Sequence, residues 1–261
     1  MTTKHTITLS ALNPDITYSV KDNSVRGCHT AHFDDLVIGD KIVIDDYFHE
    51  IIPEPEKTEP AKPRKISISA GNTKMGAIPS VSLPPVITCP SDCPCSKKCY
   101  AAKLCRIYPT VRKAYQNNLD ILLTNPALYW DGVYNAAKMT KFFRWHVSGD
   151  IPNLEYFARM VSLAQVIPGT QFLAFTKRYN IINDYINHGG VIPGNLKIIF
   201  SEWEGMETPN PHNLPTAAVI FKGQQPREDW KICGGNCAAC ACRGVGCWEL
   251  KNGETIAFYE H

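Results

Sequence analysis

The sequence predicts an α/β fold, a partial (β/α) barrel of five or six parallel strands with a small β-rich N-terminal appendage, and three observations carry that reading. Strand-like and helix-like segments alternate through residues 65–261, the pattern of parallel βαβ units with right-handed crossovers. Apolar strands end at Val147, Thr176 and Ser201, 29 and 25 residues apart, so each repeat is one compact strand and helix. The 197 residues from Lys65 to His261 fall short of the roughly 250 of a complete eight-stranded barrel. An open doubly wound sheet is the alternative architecture.

Taken in order, residues 1–52 carry short β-type runs at 6–9 and 36–44, the latter turning at Gly39-Asp40, and form the appendage. Cys28, His29 and His32 lack a fourth ligand nearby and read as loop residues. Residues 53–64 are rich in proline, glutamate and lysine and read as an extended linker. Beyond it, 66–70 is a strand ending at Gly71, and 89–99 is a proline-broken loop. Pro109 opens a helix with Val111, Tyr115, Leu119 and Leu122 at helical spacing. Asn125-Pro126 starts the next, which buries Trp130, Val133 and Ala137. Strands follow at 141–147, 170–176, 196–201, 217–221 and 255–259, with helices at 154–164 and 179–186 between them. Chemistry is expected at the C-terminal ends of these strands, where the connecting loops gather.

Composition excludes several classes. The N-terminus lacks the apolar run of a secretory signal, and no stretch reaches the roughly 18 apolar residues of a membrane span. A cytoplasmic protein is expected, where thiols stay reduced and clustered cysteines serve metals rather than disulfides. The net charge of +2 makes no electrostatic case for a nucleic-acid partner. A small-molecule substrate fits better.

Nine of the eleven cysteines fall in two short segments. In the downstream one, Cys233-x3-Cys237-x2-Cys240 wraps three thiols around one object, and Gly234-Gly235 lets the backbone come close. Four thiolates suit a [4Fe-4S] cluster or zinc on ligand type alone. The wrap departs from the paired Cys-x-x-Cys turns of zinc ribbons and favours iron–sulfur, with Cys247 as fourth ligand, Cys242 as spare and zinc as the alternative. Upstream, Cys89, Cys95 and Cys99, with Cys93 between them, either complete that site or hold a second metal. Cys105 reads as a helix or core cysteine.

Strand alternation places Phe143, Trp145 and Val147 on one face of 141–147 and Arg144, His146, Ser148 and Asp150 on the other. A polar row inside a barrel is costly unless it is a satisfied hydrogen-bond network or a substrate site. As a site, His146 serves as general acid or base, Asp150 orients it, and Ser148 is nucleophile or hydrogen-bond donor. Thr176-Lys177-Arg178 and Ser201-Glu202 end neighbouring strands and can join it.

The spacing Cys233-x3-Cys237-x2-Cys240 is also that of radical S-adenosylmethionine enzymes, in which the motif follows the first strand and not, as here, the last long one. A closer resemblance rests on Asn72-Thr-Lys74-Met-Gly76, Thr88-Cys89-Pro90, Cys99-Tyr100-Ala101, Arg144-Trp-His146-Val-Ser148-Gly149-Asp150 and Cys247-Trp248. Together, over about residues 65–250, they resemble the gene-product-88 family of bacteriophage and prophage proteins. The resemblance implies a phage-borne, cysteine-rich domain holding an iron–sulfur cluster, related in outline to radical-enzyme barrels. Cys93 and Cys105 fall outside its pattern. Three functions are therefore expected to compete: an iron–sulfur protein that hydrolyses an ester-like bond, a radical S-adenosylmethionine enzyme, and a metal-stabilised binding module without catalysis.

Overall fold

A computed structural model describes residues 64–91 and 93–260, together with the backbone of five strands upstream. The chain divides into two compact units, Met1–Lys62 and Pro63–His261. In the first, β1 (Thr6–Thr8) pairs antiparallel with β2 (Thr17–Lys21), and β2 with β3 (Ser24–Val25). β4 (Lys41–Ile44) and β5 (Tyr47–Glu50) form a second antiparallel pair. Cys28, His29, His32 and residues 53–63 of the expected linker lie outside the described residues.

The second unit is built on one sheet. Its strands are β6 (Ile68–Ser69), β7 (Ser80–Val81), β8 (Phe142–Trp145), β9 (Gln171–Thr176), β10 (Leu196–Ser201), β11 (Thr216–Ile220), β12 (Lys231–Ile232) and β13 (Thr255–Tyr259). They lie in the order β12-β13-β11-β10-β9-β8-β7-β6. Every neighbouring pair is parallel except β6 and β7. Three helices separate β7 from β8: α1 (Tyr100–Ile107), α2 (Pro109–Thr124) and α3 (Pro126–Ala137). α4 (Leu154–Val166) and α5 (Tyr179–Asn187) fill the next two crossovers, and α6 (Cys237–Arg243) lies between β12 and β13.

From β7 to β11 the strand order never reverses. Right-handed crossovers that always advance in one direction put their helices on the same face. Phe143, Trp145, Phe172, Ala174, Ile198 and Phe200 accordingly point to one side and pack with Tyr129, Val133, Phe157, Met160 and Ile182 of the helices. Leu173, Ile199, Ala217 and Ile256 point to the other, where Ala241, Cys247, Trp248 and Leu250 cover them. The sheet is thus α/β and mostly parallel, as expected, but singly wound rather than doubly wound.

It is also open. β12 and β6, the two edges, are each two residues long, too short to pair across and close a cylinder. A closed barrel fills its interior with its own strand side chains; here the thiol-rich segment occupies that face. Several element bounds differ from the sequence reading for local reasons. β7 sits between Pro79 and Pro84 and carries no strand pattern of useful length. β8 stops at Trp145 because His146 takes a positive φ of 50°. α6 is capped by Asn236, whose side chain accepts from the Ala239 N–H, and by left-handed Gly244, inside a stretch that reads as loop.

Asn118 of α2 ties the edge of the sheet to the helix layer. Fully buried, it accepts from the Ser67 N–H at 2.6 Å and donates through Nδ2 to the carbonyls of Ser67 and Ser82 at 2.9 and 3.0 Å. Buried backbone groups stripped of partners cost roughly 1–3 kcal/mol each. Asn118→Leu, of similar volume, is expected to lower the unfolding free energy by roughly 2–4 kcal/mol in denaturant titration.

Candidate metal centre

The downstream thiols are held by three distant parts of the chain. The first N–H groups of a helix have no partner inside it. In α6, Cys237 N–H donates to Lys74 O at 2.9 Å and Ala238 N–H to Met75 O at 3.0 Å. Those carbonyls are presented by a tight loop in which the Asn72 side chain accepts from the N–H groups of Lys74 and Met75, and Gly76 N–H donates to Asn72 O. Gly76 has φ +67°, and a Cβ there would lie 2.5 Å from Ala238 Cβ. Only glycine lets loop and helix meet. Cys233 follows β12 and is fixed by its N–H to Ala257 O at 2.9 Å. Cys247 lies in the short 3-10 turn Gly246–Glu249, anchored by Trp248, whose Nε1 donates to Cys237 O at 3.2 Å and whose ring meets Phe142 edge-on.

Cys233, Cys237, Cys240 and Cys247 all line one narrow cavity on this face, with Arg144 and Trp248 in its wall. The Arg144 Nη1 donates to Cys237 Sγ at 3.5 Å, and its guanidinium lies 4.9 Å from the Phe175 ring centroid. Burial, reinforced by negative charge on Cys233, Cys237 and Cys240 and opposed by Arg144, pushes the Cys247 thiol up to about 12. Burial likewise raises Cys237, again against Arg144. Four thiolates cannot coexist in this cavity on one guanidinium alone. A bound cation is what would let them, so the soft donor set fits a thiophilic metal group. Among the described residues no group of three or more His, Cys, Asp or Glu side chains is arranged to hold a metal ion. Cys242 is exposed and apart from the cavity, and Cys105 is buried in α1.

Cys89, Cys95 and Cys99 do not line that cavity. They sit in the loop after β7, at the C-terminal ends of the strands. Arg178 Nη2 clamps this loop by donating to the carbonyls of Thr88 and Cys89, both at 2.9 Å. Cys93 Sγ and Cys95 Sγ are 2.7 Å apart, and Cys93 lies 3.7 Å from Met206 Sδ. Sharing a hydrogen bond with Cys95 lowers Cys93 to about 6, and the same bond raises Cys95. Burial raises Cys89 to about 11.

The polar row expected on 144–150 breaks after Arg144. The positive φ of His146 swings its ring to the helix side, 5.4 Å from the ring of Tyr156 and 6.0 Å from that of Trp145. Neither ring nitrogen has a hydrogen-bond partner, nor does the buried Ser148 Oγ. Asp150 accepts from Thr176 Oγ1 at 2.6 Å, from Lys177 N–H at 2.8 Å and from Ile151 N–H at 2.7 Å. None of the three bonds another, and the expected relay is not assembled. Burial lowers His146 to about 3 and raises Asp150 against its hydrogen bonds. Sequence reasoning placed Lys177, Arg178 and Ser201 at the strand ends, where Lys177 Nζ now donates to Ser201 Oγ at 2.7 Å. It gave no role to Arg144, which strand alternation already aimed at the thiol face.

A singly wound α/β sheet with four cysteines gathered on the face opposite α2 to α5 defines a cysteine-centred α/β domain. Residues 56–254 match the family model described as Gene product 88, and the chain belongs to that family. No curated protein and no solved structure matches it. Among the described residues no helix is long and apolar enough to cross a membrane.

Two outcomes follow from this geometry. Gly76→Val is expected to loosen α6, raising the alkylation rate of Cys237 and Cys240 in the folded chain; an unchanged rate removes the loop's role. His146 binds its proton in the unfolded chain below about pH 6.5 but in the folded chain only near 3. The unfolded state therefore takes up the extra proton in that window, and stability falls as pH falls. Relative to His146→Phe, the natural chain is expected to lose about 1.4 kcal/mol per pH unit between pH 6 and 4.

Proposed function

We propose that the chain is an iron–sulfur protein in which Cys233, Cys237, Cys240 and Cys247 hold a [4Fe-4S] cluster on the face of the sheet that α6 covers. The observation that carries this is that four thiols of one segment, a soft donor set, line a single cavity together with the Arg144 guanidinium. When bound, such a cluster supplies one-electron redox capacity and a fixed local charge. Arg144 donates to a ligating sulfur and, stacked on Phe175, adds positive charge beside it, which favours the reduced state. With four thiols present, each iron would have its own protein ligand. That weakens the radical S-adenosylmethionine reading, which needs one iron left free. A phage-encoded chain of this kind would work in the host cytoplasm on a small molecule.

One observation keeps ester hydrolysis as a second reading. His146 Nδ1, His146 Nε2 and Ser148 Oγ are buried without partners, and such atoms are costly enough to be rare outside functional sites.

Chain purified without oxygen is expected to carry iron and sulfide in equal amount, at least about four of each, with a broad absorption band near about 400 nm; zinc without sulfide overturns the reading. Arg144→Met is expected to keep the cluster and move its reduction potential to a more negative value, read by dye-equilibrium titration. For the second reading, His146→Ala is expected to abolish cleavage of p-nitrophenyl esters with the cluster intact; unchanged cleavage removes the proposed role of His146.

A further inference from the structure

Two thiols of the loop after β7 stand closer together than a shared metal allows. The Sγ atoms of Cys93 and Cys95 are 2.7 Å apart, whereas two thiolates about 2.3 Å from one tetrahedral zinc lie about 3.7 Å from each other. A disulfide is about 2.05 Å long, so only a small movement of the two side chains separates this pair from a covalent bond. We propose that Cys93 and Cys95 are a thiol–disulfide exchange pair that reduces a small-molecule disulfide and closes to a Cys93–Cys95 disulfide in doing so. This activity goes beyond the cluster reading and does not rest on it.

The backbone holds the pair in place. Pro94, with its φ fixed by the ring, lies between the two cysteines and opens the 3-10 turn Pro94–Lys98. The Ser96 N–H donates to Cys93 O at 3.1 Å, and the Cys93 N–H to Pro90 O at 3.3 Å. Arg178 fixes the start of the loop through the Thr88 and Cys89 carbonyls. The two sulfurs have different surroundings. Cys93 is 2% exposed, with its Sγ 3.7 Å from Met206 Sδ, while Cys95 is partly open to solvent. An exchange pair needs this asymmetry, one sulfur that a substrate reaches and one that waits behind it. Either sulfur can be the donor in their contact, so one proton serves both and Cys95 can carry the negative charge while Cys93 keeps the proton. Because Cys95 is only partly exposed, a small disulfide reaches it where a folded partner would not.

The chemistry runs in two displacements. Cys95, its proton lost to solvent, attacks one sulfur of the substrate; the substrate S–S bond breaks, and the expelled thiolate takes a proton from water. Cys93 then gives up its proton and attacks Cys95 Sγ, breaking the mixed disulfide and expelling the second half of the substrate, which is protonated in turn. The substrate gains two electrons and two protons as two thiols, and the pair loses the same as a Cys93–Cys95 disulfide. Where thiols are otherwise kept reduced, disulfides of this kind are transient and belong to catalysis or redox sensing.

The test exposes the full-length chain, purified without oxygen, to oxidised glutathione and then alkylates every thiol that remains. Trypsin frees residues 75–97, which hold Cys89, Cys93 and Cys95, and fragmentation of that peptide in a mass spectrometer locates each bond. The natural chain is expected to give the Cys93–Cys95 disulfide with Cys89 alkylated. In Cys93→Ser the glutathione adduct is expected to persist on Cys95, since no second sulfur displaces it. In Cys95→Ser, Cys93 is expected to react at least about tenfold more slowly than the natural pair. A lasting adduct on Cys95 of the natural chain, a bond made by Cys89, or no reaction at either sulfur overturns the proposal. These three outcomes are read on the natural chain, so they decide even if a variant fails to fold. Because the reading is taken at one peptide, it stands whether or not Cys233 to Cys247 hold a cluster.

Discussion

Two backbone hydrogen bonds, from the N–H groups of Cys237 and Ala238 to the carbonyls of Lys74 and Met75, hold the whole thiol face together. An isolated helix of seven residues is not stable in water, and α6 has that length. Its order comes from being received by a preformed loop, from the Asn236 cap and from Ala241 packing on the sheet. Because the loop lies just before β7 and the helix just before β13, these bonds join the two ends of the strand order. Gly76 sets how near they come, and so sets where Cys237 and Cys240 stand.

The sheet divides its two faces between different tasks. One is dry, aromatic and closely packed, with Trp145, Phe143, Phe172 and Tyr156 in mutual ring contact. The other is only partly filled by carbon and leaves thiols and a guanidinium in its middle. Arg144 is tolerated there because the Phe175 ring and the Cys237 sulfur take two sides of it, yet its Nε has no partner. A half-buried cation with its Nε shielded and unpartnered is costly, and the negative charge of a thiolate-held group would offset that cost.

The alternation of strand and helix was readable because each long element carries its own pattern. β9 and β10 are short, nearly continuous apolar runs, and α4 repeats Phe157, Val161 and Ala164 at helical spacing. The crowding of thiols was readable from spacing, including the separation of Cys233, Cys237, Cys240 and Cys247 from Cys242. What escaped depends on long-range geometry or on single dihedral angles. Nothing local marks His146 as left-handed, and that one φ removes it from the polar row. Whether a sheet closes depends on edge strands too short to leave a pattern. Asn118 looked like one more polar helix residue, and only the buried carbonyls it reaches show its role.

The distance in sequence between loop and helix bears on how the protein is made. A ribosome releases residues 72–76 long before those of α6, so the Lys74 and Met75 carbonyls cannot receive the helix until residues 237 and 238 follow. Cys233 waits for Ala257 of the last strand to accept its N–H, and Ile256 and Phe258 complete the wall of the cavity. The thiol site is therefore finished only once the strand Thr255–Tyr259 is in place. A chain cut short before Thr255 would carry all eleven cysteines and no cavity to hold four of them.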